Sequence, residues 1–300
     1  MKTPVKVFPV LVVFLPIFLL GLFSLAHPAE KGVLITDGVQ LKMADALMEE
    51  GEYYRAITEY KKLLILFPDS EWADYALFRI GIAYYNGEEY EPSVRSFSTL
   101  REKYPESRYI PKGYYFEGLG YWKLKRFKEA RTAFDALSED YPRFEQAPLA
   151  LVAASLVGLE EGNIPLSTDR LERLINRYPE QPVSTNAKEA IPLIRQYERL
   201  PEKSKTVAAI LSAILPGSGY VYAGHLGDGV TAFLINALCI AGVVTGIHAE
   251  YYAVAGIVAG VGLPFYLGNI YGSANAAKKW NLGVKTELRN RVYLTLDFNF

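Results

Sequence analysis

The sequence predicts an all-α chain: an α-solenoid of helix pairs over residues 37–199, followed by a helical membrane domain over 206–277. Three observations carry this reading. The prolines of Phe67-Pro68-Asp69-Ser70, Tyr104-Pro105-Glu106-Ser107, Tyr141-Pro142-Arg143-Phe144 and Tyr178-Pro179-Glu180-Gln181 recur at a constant step of 37 residues. A period of that size marks stacked supersecondary units, none of which buries its apolar face alone. Small residues recur in the same register, and over the 72 residues of 206–277 only Asp228 and Glu250 carry a formal charge.

Within each unit the spacing predicts two antiparallel helices, A and B. Twelve residues before each proline stands Ala56, Ser93, Ala130 or Ser167, and twelve before that Ala44, Gly81, Gly118 or Ser155. Small residues there let A and B cross closely. Tyr53, Tyr90, Phe127 and Ile164 stand fifteen before the proline, and Tyr60, Phe97, Phe134 and Leu171 eight before it, as filling on either side. The proline lacks an amide donor and restricts the residue before it, so it closes helix B. Glu49-Glu50-Gly51-Glu52 and Asn86-Gly87-Glu88-Glu89 are read as the A–B turns.

Before the array, residues 1–26 have the parts of a secretory signal: Lys2 and Lys6, an apolar stretch over 7–23, and the small-residue site Ser24-Leu25-Ala26. An uncleaved anchor helix is the alternative, and either places the array beyond the cytoplasmic membrane. Residues 30–41 read as a polar lead, and the charged stretch 195–206 as the end of the array.

In the membrane domain, 229–247 and 252–271 are each long enough to span a bilayer. The piece 207–223 is broken at Pro216-Gly217-Ser218-Gly219 and is either a bent span or a re-entrant segment, which needs other helices to cover its freed backbone. Gly242, Gly246, Gly256 and Gly260 form two Gly-x-x-x-Gly patterns flanking His248-Ala249-Glu250, expected to close a tight helical hairpin unless they reflect only the abundance of glycine in such helices. Lys278, Lys279, Arg289 and Arg291 favour three crossings by the positive-inside preference, whereas two crossings leave them on the array's side. The tail 278–300 ends in alternating residues from Val292 to Phe300, a period that predicts a terminal strand. An edge strand or a loosely packed tail is preferred there over a barrel-type signal, since a lone strand closes no barrel.

The chemistry this composition admits is narrow. Net charge is −1, and over residues 30–205 there are 25 Lys and Arg against 29 Asp and Glu, which argues against a nucleic-acid partner. Cys239 is the one cysteine, read as a buried inert thiol. His225 with Asp228 and His248 with Glu250 are weighed as a metal or proton site and read instead as polar residues at helix ends. Zinc-type cysteine pairs, a phosphate loop and a nucleophile elbow are lacking, so neither an enzyme nor a cofactor is expected.

The repeat register resembles the tetratricopeptide repeat family over about 37–199. The unit is three residues longer than the family's usual 34, leucines (Leu63, Leu100, Leu137, Leu174) stand where that family usually has alanine, and the fourth copy carries Gly158 and Pro165. The long unit and the Tyr-Pro-x-Ser ending are most similar to envelope members, the assembly lipoprotein of the outer-membrane β-barrel machinery and the periplasmic Tol-Pal coordinator. Their lipidation cysteine has no counterpart near residue 26. The opening Pro216 to Gly224 resembles small bacterial Pro-Gly-x-Gly membrane domains. The register would line a concave groove with Tyr75, Phe78, Ile82, Tyr85, Tyr115, Leu119, Trp122 and Lys123, unless these aromatics pack between repeats. The expected function is a scaffold held in membrane lipid, with extracytoplasmic repeats that bind protein or peptide partners for envelope assembly or maintenance. A membrane enzyme or transporter accessory working through 206–277 is the alternative.

Overall fold

The computed structural model describes residues 34–298; the expected signal lies outside the described residues. Among these the chain is helical, with no strand. Four helix pairs follow one another: α1 (Asp37–Glu49) with α2 (Tyr53–Leu66), α3 (Ala73–Asn86) with α4 (Tyr90–Lys103), α5 (Ile110–Lys123) with α6 (Phe127–Asp140), and α7 (Ala147–Glu160) with α8 (Ile164–Arg177). A ninth helix, α9 (Pro182–Gln196), closes the array. Each helix packs on its neighbours in sequence, and α3 also touches α5, as α7 touches α9. The A helices therefore crowd together on the inner side of the solenoid. α1 starts at Asp37, inside the stretch read as a loop, because the Thr36 hydroxyl accepts a hydrogen bond from the Val39 amide at 3.3 Å and caps it.

The small residues lie where A and B cross. Ala44, Ala56, Ser93, Ala130, Ser155 and Ser167 are fully buried. A Cβ on Gly81 would stand 2.6 Å from Cε1 of Phe97, and one on Gly118 would stand 2.5 Å from Cε1 of Phe134. Tyr60, Phe97, Phe134 and Leu171, with the leucines at 63, 100, 137 and 174, are wholly shielded. Burying such a side chain contributes about 1.5–3 kcal/mol.

Each A–B turn needs one left-handed residue, and it recurs at the same step: Gly51, Glu88, Lys125 and Gly162, with φ of 78°, 62°, 59° and 74°. In the second unit the expected turn glycine, Gly87, has φ −80°, and Glu88 adopts the left-handed conformation instead. A second device follows the first two prolines. Ser70 Oγ donates to Asp37 Oδ2 and Ser107 Oγ to Asp74 Oδ2, both at 2.7 Å, tying each proline turn to the start of its own unit. In the last two units both members change together, to Pro111 with Phe144 and Pro148 with Gln181.

Beyond the array lie α10 (Lys205–Ile214), α11 (Ser218–Ala223), α12 (Leu226–His248) and α13 (Tyr252–Leu296). Two of these, α12 and α13, are long and apolar enough to cross a membrane. The piece 207–223 is broken: α10 has 10 residues, about 15 Å at the helical rise, and the chain doubles back into α11 at Gly217, whose φ is 88°. The freed backbone is covered by α13. Asn269 accepts from the Gly217 amide at 2.9 Å and donates to the Ser212 carbonyl at 3.0 Å, while Ser273 and Tyr266 donate to the carbonyls of Ala208 and Ala213.

In the α12–α13 hairpin, Gly242 and Gly246 face α13, where an added Cβ would meet Val258 at 3.2 Å and Ala255 at 3.1 Å. Gly256 and Gly260 face open space, so the expected four-glycine contact is two-sided only in part; Ala255, Val258 and Gly262 supply α13's half. Cys239 sits against Gly262 and is half-buried.

The expected terminal strand is replaced by helix through Leu296. Leu288, Val292 and Leu296 are buried while Leu294 is 80% exposed, so the alternation yields to an i, i+4, i+8 stripe once the residues continue a long helix.

Candidate partner-binding surface

The inner face is built from A helices, and the residues expected to line it are mostly engaged there. Phe78 is buried and stacks on Tyr109 (5.2 Å, 16°), which also meets Tyr75 at 5.3 Å. Tyr85 stands between Tyr90 and Phe116 at 5.5 and 5.3 Å. Tyr115 lies against Phe116 and Phe134, and Ile82, Leu119 and Trp122 are buried. The open eight-residue groove is thus corrected: these side chains bridge neighbouring helices, leaving Tyr75, Tyr85 and Tyr115 half-buried and Lys123 exposed. Burial pushes the Tyr75 and Tyr85 hydroxyls up to about 12 and raises that of Tyr115.

Over α5, α7 and α9 the inner face is covered by the end of α13. Val292, Leu296 and Phe298 join one core with Leu119, Trp122 and Leu156. Phe298 stacks on Trp122 at 5.9 Å, and the Tyr293 hydroxyl donates to Glu160 Oε1 at 2.7 Å. Over α1 and α3 the face carries polar groups instead. The Tyr60 and Tyr75 hydroxyls donate to Asp45 Oδ1 at 2.5 and 3.2 Å, and Arg79 donates to the Tyr60 oxygen at 3.0 Å, 3.5 Å from Asp45. Val39 and Met43, at 43% and 48%, are exposed on a different side of α1 from Asp45. Sequence reasoning missed Asp45 and Arg79; their spacing of 34, close to one unit, was the available signal.

Between α4, α5 and α6 lies a polar cleft of about 460 Å³. Its floor is Glu117, 3% exposed, gripped by the Arg101 guanidinium at 2.5 and 3.0 Å. Burial raises the Glu117 carboxyl above the usual range while Arg101 draws it back. Arg101 also lies 4.5 Å from the Tyr114 ring centroid, so the cluster reads as a packed ion pair holding α4 to α5.

His225 and Asp228 approach at 3.4 Å at the start of α12. His248 and Glu250 stand at its other end, 23 helical residues away, about 35 Å, so the two pairs do not face one another. No group of three or more metal-ligating side chains occurs among the described residues.

No curated protein matches the chain. Among solved structures it is similar to a tetratricopeptide repeat protein from Parabacteroides merdae, at 13% identity over 87% of this chain and 99% of that one, with a TM-score of 0.46. It is also similar to pilF of Pseudomonas aeruginosa, at 12% identity over 82% and 97%, with a TM-score of 0.42. A family profile described as outer membrane lipoprotein, YfiO, matches residues 39–209, which runs from the first turn of α1 through α9 into the first half of α10. With more than half of its length in that match, the chain belongs to the YfiO family of outer membrane lipoproteins.

Proposed function

We propose that this protein is a membrane-tethered scaffold of the cell envelope that holds polypeptide partners on the inner face of α1 and α3. The observation that carries the tether is the outward apolar surface of α12 and α13. Leu234, Leu238, Ile257 and Leu267 are 60%, 75%, 69% and 55% exposed, a surface water does not tolerate at this extent. The docking of α13 on the array supports a topology with the array and the cations Lys278 and Lys279 on one side of that bilayer. The signal-like leader favours the extracytoplasmic side. The cations favour the opposite one, and protease digestion of the array in spheroplasts separates the two.

The partner surface is tested by a photo-crosslinking residue at Tyr75 or Arg79, both half-buried in that cluster, against one at Arg55, which is exposed on α2. Polypeptide adducts from the first two positions and none from the third are expected. Adducts from Arg55 alone, or none, would overturn the reading, as would release of the full chain from membranes by alkaline carbonate.

A further inference from the structure

The α11–α13 region holds a cavity that the scaffold reading leaves unused. It measures about 530 Å³ and is lined by Tyr220, His225, Asp228, Thr231, Asn236 and Lys279, within the roughly 300–1,000 Å³ of ligand sites. A second cavity of about 290 Å³ adjoins it at Asn236 and is almost wholly apolar, lined by Cys239, Ile240, Val243, Val258 and Leu263. On α12 the two continue one stripe, at 228, 232, 236, 239 and 243. From Asp228 to Val244 is 16 residues, about 24 Å at the helical rise, close to the depth of one leaflet with its head groups. The polar mouth lies at the array end of the hairpin, where Lys203 donates to Asn281 at 2.8 Å and its ammonium lies 4.1 Å from the Trp280 ring centroid.

Resting on the membrane reading above, we propose that this cleft is a binding site for one phospholipid with a zwitterionic aminoethyl phosphate head. The rim charges are complementary to that zwitterion. Lys279 and the Tyr220 hydroxyl suit the phosphate, and Asp228, with His225 beside it at 3.4 Å, suits the ammonium. A purely anionic head would meet Asp228 without a cation to offset it. Acyl chains take the apolar stripe below Asn236, whose own amide donates to the Ala232 carbonyl at 2.7 Å.

The test uses the full chain in detergent, stripped of lipid and then offered phosphatidylethanolamine, phosphatidylglycerol or soluble phosphoethanolamine, with retained ligand read by native mass spectrometry. One phosphatidylethanolamine per chain is expected, at least about tenfold over the other two. Asp228→Asn and Lys279→Gln each lose it about tenfold, Lys279→Arg restores it, and Lys278→Gln leaves it unchanged, with helix content by circular dichroism equal throughout. Equal retention by the variants, equal retention of phosphatidylglycerol, binding of phosphoethanolamine alone, or no retained lipid overturns the site. Membrane extraction by carbonate is scored separately: a chain that stays embedded yet retains no lipid defeats this site alone, and one that washes free defeats the tether as well.

Discussion

The hydroxyl of Tyr293 donates to Glu160 across 133 residues of chain, and this contact, with Phe298 on Trp122, locks the end of α13 onto the inner face of the array. Leu296, 2% exposed, anchors the same seam. Leu296→Ala is expected to weaken it by about 2–5 kcal/mol. With Trp72 and Trp280 replaced by phenylalanine, the emission of Trp122 then shifts to the red at denaturant concentrations where the unaltered chain keeps it buried.

Gly118 lies under the ring of Phe134 too closely for any side chain. Gly118→Ala is expected to destabilise the array by about 1–3 kcal/mol through overpacking, and adding Phe134→Leu recovers part of that loss. Urea titration of the single and double variants measures the coupling; strict additivity would refute the contact as its cause.

Two of the A–B turns carry left-handed residues that are not glycine, Glu88 and Lys125. That conformation costs about 1–2 kcal/mol for a residue with a Cβ, against about 0.5–1 kcal/mol of extra chain entropy for glycine. Glu88→Gly and Lys125→Gly should therefore each raise the unfolding free energy by up to about 1 kcal/mol, read as a higher unfolding midpoint in urea. Gly51→Ala, at the equivalent position, should lower it.

Burial holds the Tyr75 and Tyr85 hydroxyls protonated up to about pH 12, against about 10 for a free phenol. The folded state binds these protons more tightly, so their contribution is whole below pH 10 and is lost as the pH rises toward 12. Melting temperatures are expected to fall across that window, and to fall less in the Tyr75→Phe, Tyr85→Phe variant.

The array was legible because its rules are local and repeated: one proline per 37 residues, glycine under phenylalanine, leucine at the closing turn. The contents of its inner face were not. Phe78 and Trp122 have the same spacing whether they face solvent or a neighbour, and Trp122's cover comes from residues about 170 positions later. The tail was misread because Val292 to Leu296 satisfies period two and, through Leu288, a helical stripe as well. Only the continuity of α13 decides between them. The break at Pro216-Gly217 was visible, yet the residues that cover it, Asn269 and Ser273, lie more than 50 residues on.

α13 is one unbroken element of 45 residues, with its first half among apolar helices and its last turns inside the array. On the proposed tether it would act as a mast: the angle at which it stood in lipid would set where the solenoid points. A bilayer thin enough to tilt it would swing the face of α1 and α3 through an arc, so under that proposal the reach of the scaffold would follow the membrane's own thickness.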